Sequence, residues 1–169
     1  MALSASGHYG DAVVEGETLK GQPLNHADLF HTGIVVDDLA SAKEELGGAL
    51  GVTWRDGGAE VRLTGPTGVR TVETAYALST SGPHHVELVQ SIPGTLWSAT
   101  APGHAHHLGY WVDDVPSAAA ELVRLGSEQV ASVAIKDGRP PMCTYHRSRS
   151  GLYLEIVDRR MRPVLLPDQ

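Results

Sequence analysis

His31-Thr-Gly-Ile-Val-Val-Asp-Asp-Leu-Ala-Ser-Ala42 recurs 76 residues further on as His107-Leu-Gly-Tyr-Trp-Val-Asp-Asp-Val-Pro-Ser-Ala118, with seven of the twelve positions identical. Such a match at a fixed offset marks an internal duplication, and a duplication decides architecture before any single element does. Each copy opens as a short strand rich in Val, Ile or aromatic residues and reaches an Asp pair suited to capping a helix. Leu39, Ala42, Leu46 and Leu50 then recur at helical spacing in the first copy, as do Val115, Ala118, Leu122 and Leu125 in the second. Gly51 and Gly126 are natural stops.

Beyond each helix the pattern turns to strands. The first copy places them at Val52 to Leu63, Val69 to Leu78 and His84 to Gln90, the second at Gln129 to Ala134, Met142 to Arg147 and Leu152 to Asp158. Ser79-Thr-Ser-Gly-Pro83 and Ser148-Arg-Ser-Gly151 supply the turn before each last strand. Both copies therefore read βαβββ, an α+β chain of two modules related by pseudo-twofold symmetry. His85-Val-Glu-Leu-Val89 corresponds to Tyr153-Leu-Glu-Ile-Val157 at an offset of 68, so the second copy carries a net deletion, placed against Arg55 to Gly68. The organisation expected is an N-terminal arm (1–28), a first module (29–91), a linker broken by Pro and Gly (92–105), a second module (106–160) and a tail (161–169).

Composition bounds the function. The 169 residues, 41% hydrophobic and 20% charged, can build a real core, which excludes wholesale disorder and coiled-coil architecture. A formal charge of -7 without a basic run argues against a nucleic-acid partner. No apolar run approaches the ~20 residues that cross a bilayer, and no secretory leader opens the sequence. The single cysteine, Cys143, permits neither an internal disulfide nor a Cys-rich zinc site, and a cytoplasmic protein is expected.

The duplication yields two equivalent histidines, His31 and His107, and two equivalent acids, Glu87 and Glu155, in the last strands. A carboxylate among Val, Leu and Ile is costly to keep ionised unless a cation compensates it. Two neutral imidazoles and two carboxylates cancel the charge of a divalent ion and suit Zn, Ni, Mn, Co or Fe(II), whereas Ca and Mg favour oxygen. Strand alternation puts His85 on the face of Glu87 and Tyr153 on that of Glu155, as candidates for proton transfer and for donation to an oxyanion. His84 and His106 have the opposite parity and are expected to face away. Either Tyr145 or His146 lines the cavity. The Asp37-Asp38 and Asp113-Asp114 pairs read as helix caps, and Cys143 as a buried thiol.

The His-x-Gly-Ile-x-Val-Asp-Asp opening, its second copy and the paired Glu-bearing strands resemble the vicinal oxygen chelate superfamily over about residues 29 to 160. Its members include glyoxalase I, methylmalonyl-CoA epimerase, extradiol dioxygenases and drug-resistance proteins. The resemblance implies a cupped, half-open barrel around a metal held by His31, Glu87, His107 and Glu155. A His, Glu, His, Glu set is closest to glyoxalase I, while the epimerase pattern has Gln where this chain has Glu87. Extradiol dioxygenases use two His and one Glu, here His31, His107 and Glu155. The thiol-recognition residues of glyoxalase I find no counterpart.

The function expected is a metal-dependent lyase or isomerase. It would bind a small substrate through adjacent oxygens and stabilise an enolate-like intermediate, with Glu87 or Glu155 as base. The alternatives are an Fe(II) dioxygenase and a metal-free binding or resistance protein. A homodimer is the default assembly.

Overall fold

A computed structural model describes residues 22–98, 105–135 and 140–167. Residues 1–21 of the expected arm, 99–104 of the linker with His104, and 168–169 of the tail lie outside the described residues.

The order βαβββ occurs twice. The first run is β1 (Leu29–Val36), α1 (Leu39–Leu50), β2 (Trp54–Gly65), β3 (Gly68–Ser79) and β4 (His85–Gln90). The second is β5 (His107–Val112), α2 (Val115–Arg124), β6 (Glu128–Ala134), β7 (Cys143–Arg147) and β8 (Tyr153–Asp158). A 3-10 turn at Arg159–Met161 leads into the short helix α3 (Arg162–Leu165). Among the described residues no helix is long and apolar enough to cross a membrane.

The second Asp of each pair caps its helix. Asp38 accepts from the Ser41 backbone N–H at 2.9 Å, and Asp114 from that of Ser117 at 3.0 Å. Those backbone bonds hold both carboxyls below their ordinary pKa. The first Asp works differently: Asp113 accepts from Arg159 at 2.7 Å, and the Asp37 carbonyl accepts from Gln90 at 2.7 Å. Gly51 ends α1 with φ at +66°, a left-handed conformation that side chains other than glycine's resist. Helix α2 buries Val115, Ala119 and Leu122 and packs Ala118 partly against the same cluster, whereas Leu125 lies just past the helix end and is exposed.

The strands follow the order β1-β4-β3-β2-β6-β7-β8-β5 and close into a barrel. Within each module the first and last strands run parallel, and the modules meet through antiparallel pairs, β1 with β5 and β2 with β6. The β2–β6 seam spans only Arg62↔Ala134 to Thr64↔Ser132. Beyond it Trp54 to Val61 pair with β3 alone among the described residues. The net deletion is not confined to the counterpart of Arg55 to Gly68: β2 and β3 have 12 residues each, against 7 in β6 and 5 in β7. Both hairpin strands are shortened, and the long β2–β3 hairpin outreaches its partner.

Apolar side chains of alternate strand positions fill the interior, among them Phe30, Val61, Leu78, Val89, Trp111, Val133 and Val157, joined by Trp97 from the turn after β4. Phe30 stacks on Trp111 with ring centroids 3.7 Å apart, which ties β1 to β5. A second cluster lies between α2 and the outer face: Val112, Val115, Ala119, Leu122 and Ile156.

His146 is fully buried, and its Nε2 meets Thr144 Oγ1 at 2.9 Å. Burial lowers its pKa to about 4. A histidine held neutral in the fold but free to protonate when unfolded makes stability fall as pH drops from its unfolded value near 6.5 toward 4, by up to about 1.4 kcal/mol per unit. Urea unfolding across pH 6.5 to 4.5 should show this loss, and His146→Leu should show a shallower one. Equal slopes in the two proteins would contradict the assignment.

Candidate metal centre

Backbone register places the four donors. Across the antiparallel seam His31 lies opposite Gly109 and Gly33 opposite His107, while in the parallel pairs Gly33 neighbours Glu87 and Gly109 neighbours Glu155. Each imidazole thus rests on the other module's glycine. A Cβ built on Gly33 would lie 1.9 Å from the His107 ring, and one on Gly109 would lie 2.0 Å from the His31 ring. His-x-Gly is therefore one device: the histidine supplies a donor, and the glycine clears the space its counterpart fills. The sequence contained this signal as a repeated glycine, but its use shows only once the strands are paired.

The donor atoms meet closely. His31 Nε2 lies 2.9 Å from His107 Nε2, 3.0 Å from Glu155 Oε2 and 3.5 Å from Glu87 Oε2. His107 Nε2 lies 3.1 Å from Glu87 Oε2 and 3.3 Å from Glu155 Oε2. All four donors fall within 4.8 Å of one another. An ion bound at ~2.1 Å sets neighbouring donors about 3.0 Å apart in an octahedron and about 3.4 Å apart in a tetrahedron, so these separations suit one shared cation.

Charge points the same way. Burial opposes ionisation of both Glu155 and His107, yet their mutual hydrogen bonds prevail. With His31 also contributing, Glu155 stays well below the usual carboxylate range, and the two glutamates lift His107 to about 9. At neutral pH the metal-free cluster then keeps a proton on His107, one positive charge among two carboxylates. A divalent ion meets that demand more fully. Zn, Ni, Mn, Co and Fe(II) all accept this mixture of imidazole and carboxylate.

A family profile, that of the Glyoxalase/Bleomycin resistance protein/Dioxygenase superfamily, matches residues 30–144. The chain belongs to this superfamily. A triple mutant of 4-hydroxymandelate synthase from Streptomyces coelicolor superposes with a TM-score of 0.52 at 20% identity, covering 78% of this chain and 38% of that one. The chain therefore spans well under half of the synthase. A variant of the Streptomyces coelicolor methylmalonyl-CoA epimerase, bound to 2-nitronate-propionyl-CoA, gives 0.51 at 18% identity, covering 77% and 92%. At such identities these likenesses show the superfamily fold. A search of curated proteins found no match.

In this member of the superfamily three of the four donors, His31, Glu87 and Glu155, line a cavity of about 200 Å³, and His107 stands behind them against Glu87 and Glu155. Its walls are mostly apolar, with Phe30, Val61, Leu78, Trp97, Val133 and Met142 prominent, and Tyr76 and Tyr145 face it. Tyr145, rather than His146, is the cavity residue of its pair: it lies in register with Glu155, whereas His146 is buried on the opposite side of β7. Burial and the charge of Glu155 push the Tyr145 hydroxyl and the Cys143 thiol well up, so both stay protonated at neutral pH.

Two candidates fall elsewhere. His85 shares a strand face with Glu87 as expected but is fully buried, does not line the cavity, and donates Nδ1–H to the Ser79 carbonyl at 2.7 Å. Tyr153 lines a separate recess with Leu63, Arg70, Leu96 and Arg147, its ring 4.9 Å from that of His106. His84 is exposed, stands one residue before β4 and meets Thr32 Oγ1 at 2.9 Å. His106 does not line the cavity either, but it precedes β5, so strand alternation does not govern it, and its ring lies against His107.

The glycine device is testable. Gly33→Ala and Gly109→Ala should each displace the facing imidazole, at an overpacking cost of about 1–3 kcal/mol. A thermal melt should register that cost, and zinc affinity should fall at least tenfold, since about 1.4 kcal/mol is a factor of ten. Unchanged affinity in both variants would contradict the reciprocal arrangement.

Proposed function

We propose that the protein is a metal-dependent lyase or isomerase acting on a small substrate that presents two adjacent oxygens. The observation that carries this reading is the convergence of His31, Glu87, His107 and Glu155 within 4.8 Å, three of them lining one cavity. A divalent ion bound there supplies Lewis acidity toward negative charge that develops on a substrate oxygen.

The chain's own residues do the rest. Glu87 has the most exposed side chain of the four, at 15%, and the longest separation, 3.5 Å from His31. It is the carboxylate best placed to accept a proton from a carbon beside a carbonyl, while Glu155, more deeply buried, holds His31 and His107. The apolar walls exclude water and favour a substrate with an apolar body. The protonated Tyr145 hydroxyl is hydrogen-bonded to Glu155 and so braces that carboxylate at the cavity wall.

The test is exchange of the α-proton of small 1,2-dicarbonyls and α-hydroxyketones in D2O, followed by NMR with the metal-loaded protein. Exchange should require metal and be lost in Glu87→Gln. Exchange that is absent from every loaded form, or that survives the substitution unchanged, would count against this assignment.

One observation favours a second reading. Glu87 is the more exposed of the two carboxylates, and without it His31, His107 and Glu155 make the two-histidine, one-carboxylate triad of non-haem iron oxygenases. Iron-dependent oxygen uptake with a catechol would favour that chemistry. Ligand binding that persists unchanged after chelation would favour a metal-free binding protein.

A further inference from the structure

The two imidazoles of the centre differ in what holds their outer nitrogens. His107 Nδ1 lies 2.9 Å from His106 Nδ1, and His106 Nε2 lies 2.9 Å from the Leu96 carbonyl oxygen. A carbonyl only accepts, so the proton of a neutral His106 sits on Nε2, and its Nδ1 offers a lone pair. His107 must then donate Nδ1–H, so the proton that a metal displaces from this ring is the one on Nε2, whose lone pair then faces the cluster. The chain of donors and acceptors admits one tautomer at each ring.

Leu96 itself is firmly placed. The Ile92 backbone N–H donates to Trp97 O at 2.9 Å, and Thr95 Oγ1 and Ser98 Oγ donate to Ile92 O at 2.8 and 3.2 Å. The same turn sets Trp97 in the cavity wall.

The first module lacks this device. At the repeat offset of 76, the counterpart of His106 is Phe30, which meets His31 edge-on with centroids 4.3 Å apart and accepts nothing. His31 Nδ1 is buried without a hydrogen-bond partner among the described residues.

We propose that His106 is a positioning residue which, braced by the Leu96 carbonyl, locks His107 in the Nδ1–H form and so presents its Nε2 to a metal ion, making His107 the pre-organised imidazole of the pair. The inference rests on the metal reading above and reaches beyond it to a residue that contributes no donor to the cluster. Outer hydrogen-bond partners of this kind are worth roughly 10–100-fold in metal affinity.

His106→Phe installs the residue that the duplication already carries at Phe30, and His106→Gln retains an acceptor and a donor in the imidazole's relative places. Zinc affinity, measured by competition with a chromogenic chelator, should fall 10–100-fold in the Phe variant and stay within about threefold of native in the Gln variant. Circular dichroism and melting temperature report folding separately. Should the Phe variant fail to fold, long-range 1H–15N NMR of the native zinc-loaded protein answers the question, with a proton expected on His107 Nδ1 and on His106 Nε2. Native-like affinity in a folded Phe variant, or either tautomer reversed, overturns the proposal and leaves the metal reading standing. Native protein that takes up no zinc overturns both.

Discussion

Glu155→Gln should strip the protein of stoichiometric metal while leaving the barrel folded. Glu155 is buried, and its Oε2 lies 3.0 Å from His31 Nε2 and 3.3 Å from His107 Nε2. The amide keeps the shape and one acceptor oxygen but removes a charge from a site where water cannot substitute for it. Removing one partner of a buried ionic set costs about 3–5 kcal/mol, a factor of roughly a hundred to several thousand in affinity. Elemental analysis after dialysis against zinc should find about one ion per native chain and almost none in the variant. Glu44→Gln, on the exposed face of α1, should match native. A Glu155 variant that retains zinc within threefold of native would mean that this carboxylate does not bind the ion.

Zinc affinity should rise steeply with pH, by about tenfold per unit up to pH 9, hence about a hundredfold between pH 7 and pH 9. His107, raised to about 9 by the carboxylates of Glu155 and Glu87, carries a proton that the metal must displace. The stability of the metal-free protein moves oppositely. A histidine whose pKa rises on folding contributes its full stabilisation below about 6.5 and loses it as pH climbs through the folded value. The gap in melting temperature between loaded and metal-free protein should therefore widen from pH 6.5 to 8.5. Chelator-buffered titrations over the same range should release one proton per zinc from this group. A flat affinity profile would place the displaced proton elsewhere.

Much of this centre was legible in the sequence because duplication makes it redundant. A histidine before each Gly-x-x-Val-Asp-Asp run and a glutamate in each last strand name the quartet, and period-two alternation aims the glutamates inward. Helix caps were equally readable, since Asp followed three residues later by Ser reports its own backbone bond. What alternation could not reach was anything outside a strand. His106 stands one residue before β5, so a parity rule does not govern it and gave no hint that its ring lies against His107. His85 obeyed the rule and still missed the cavity, because facing inward does not fix depth along a barrel. Tyr145 could be separated from His146 only by its register with Glu155.

The exchange of glycines across the β1–β5 seam ties the two halves in a way neither can satisfy alone. Each copy supplies half of the ligands and half of the room they require, so a single module is a lock cut down its middle. A metal bound there would rivet the duplicates together, and drift in either His-x-Gly would be felt by the other half first.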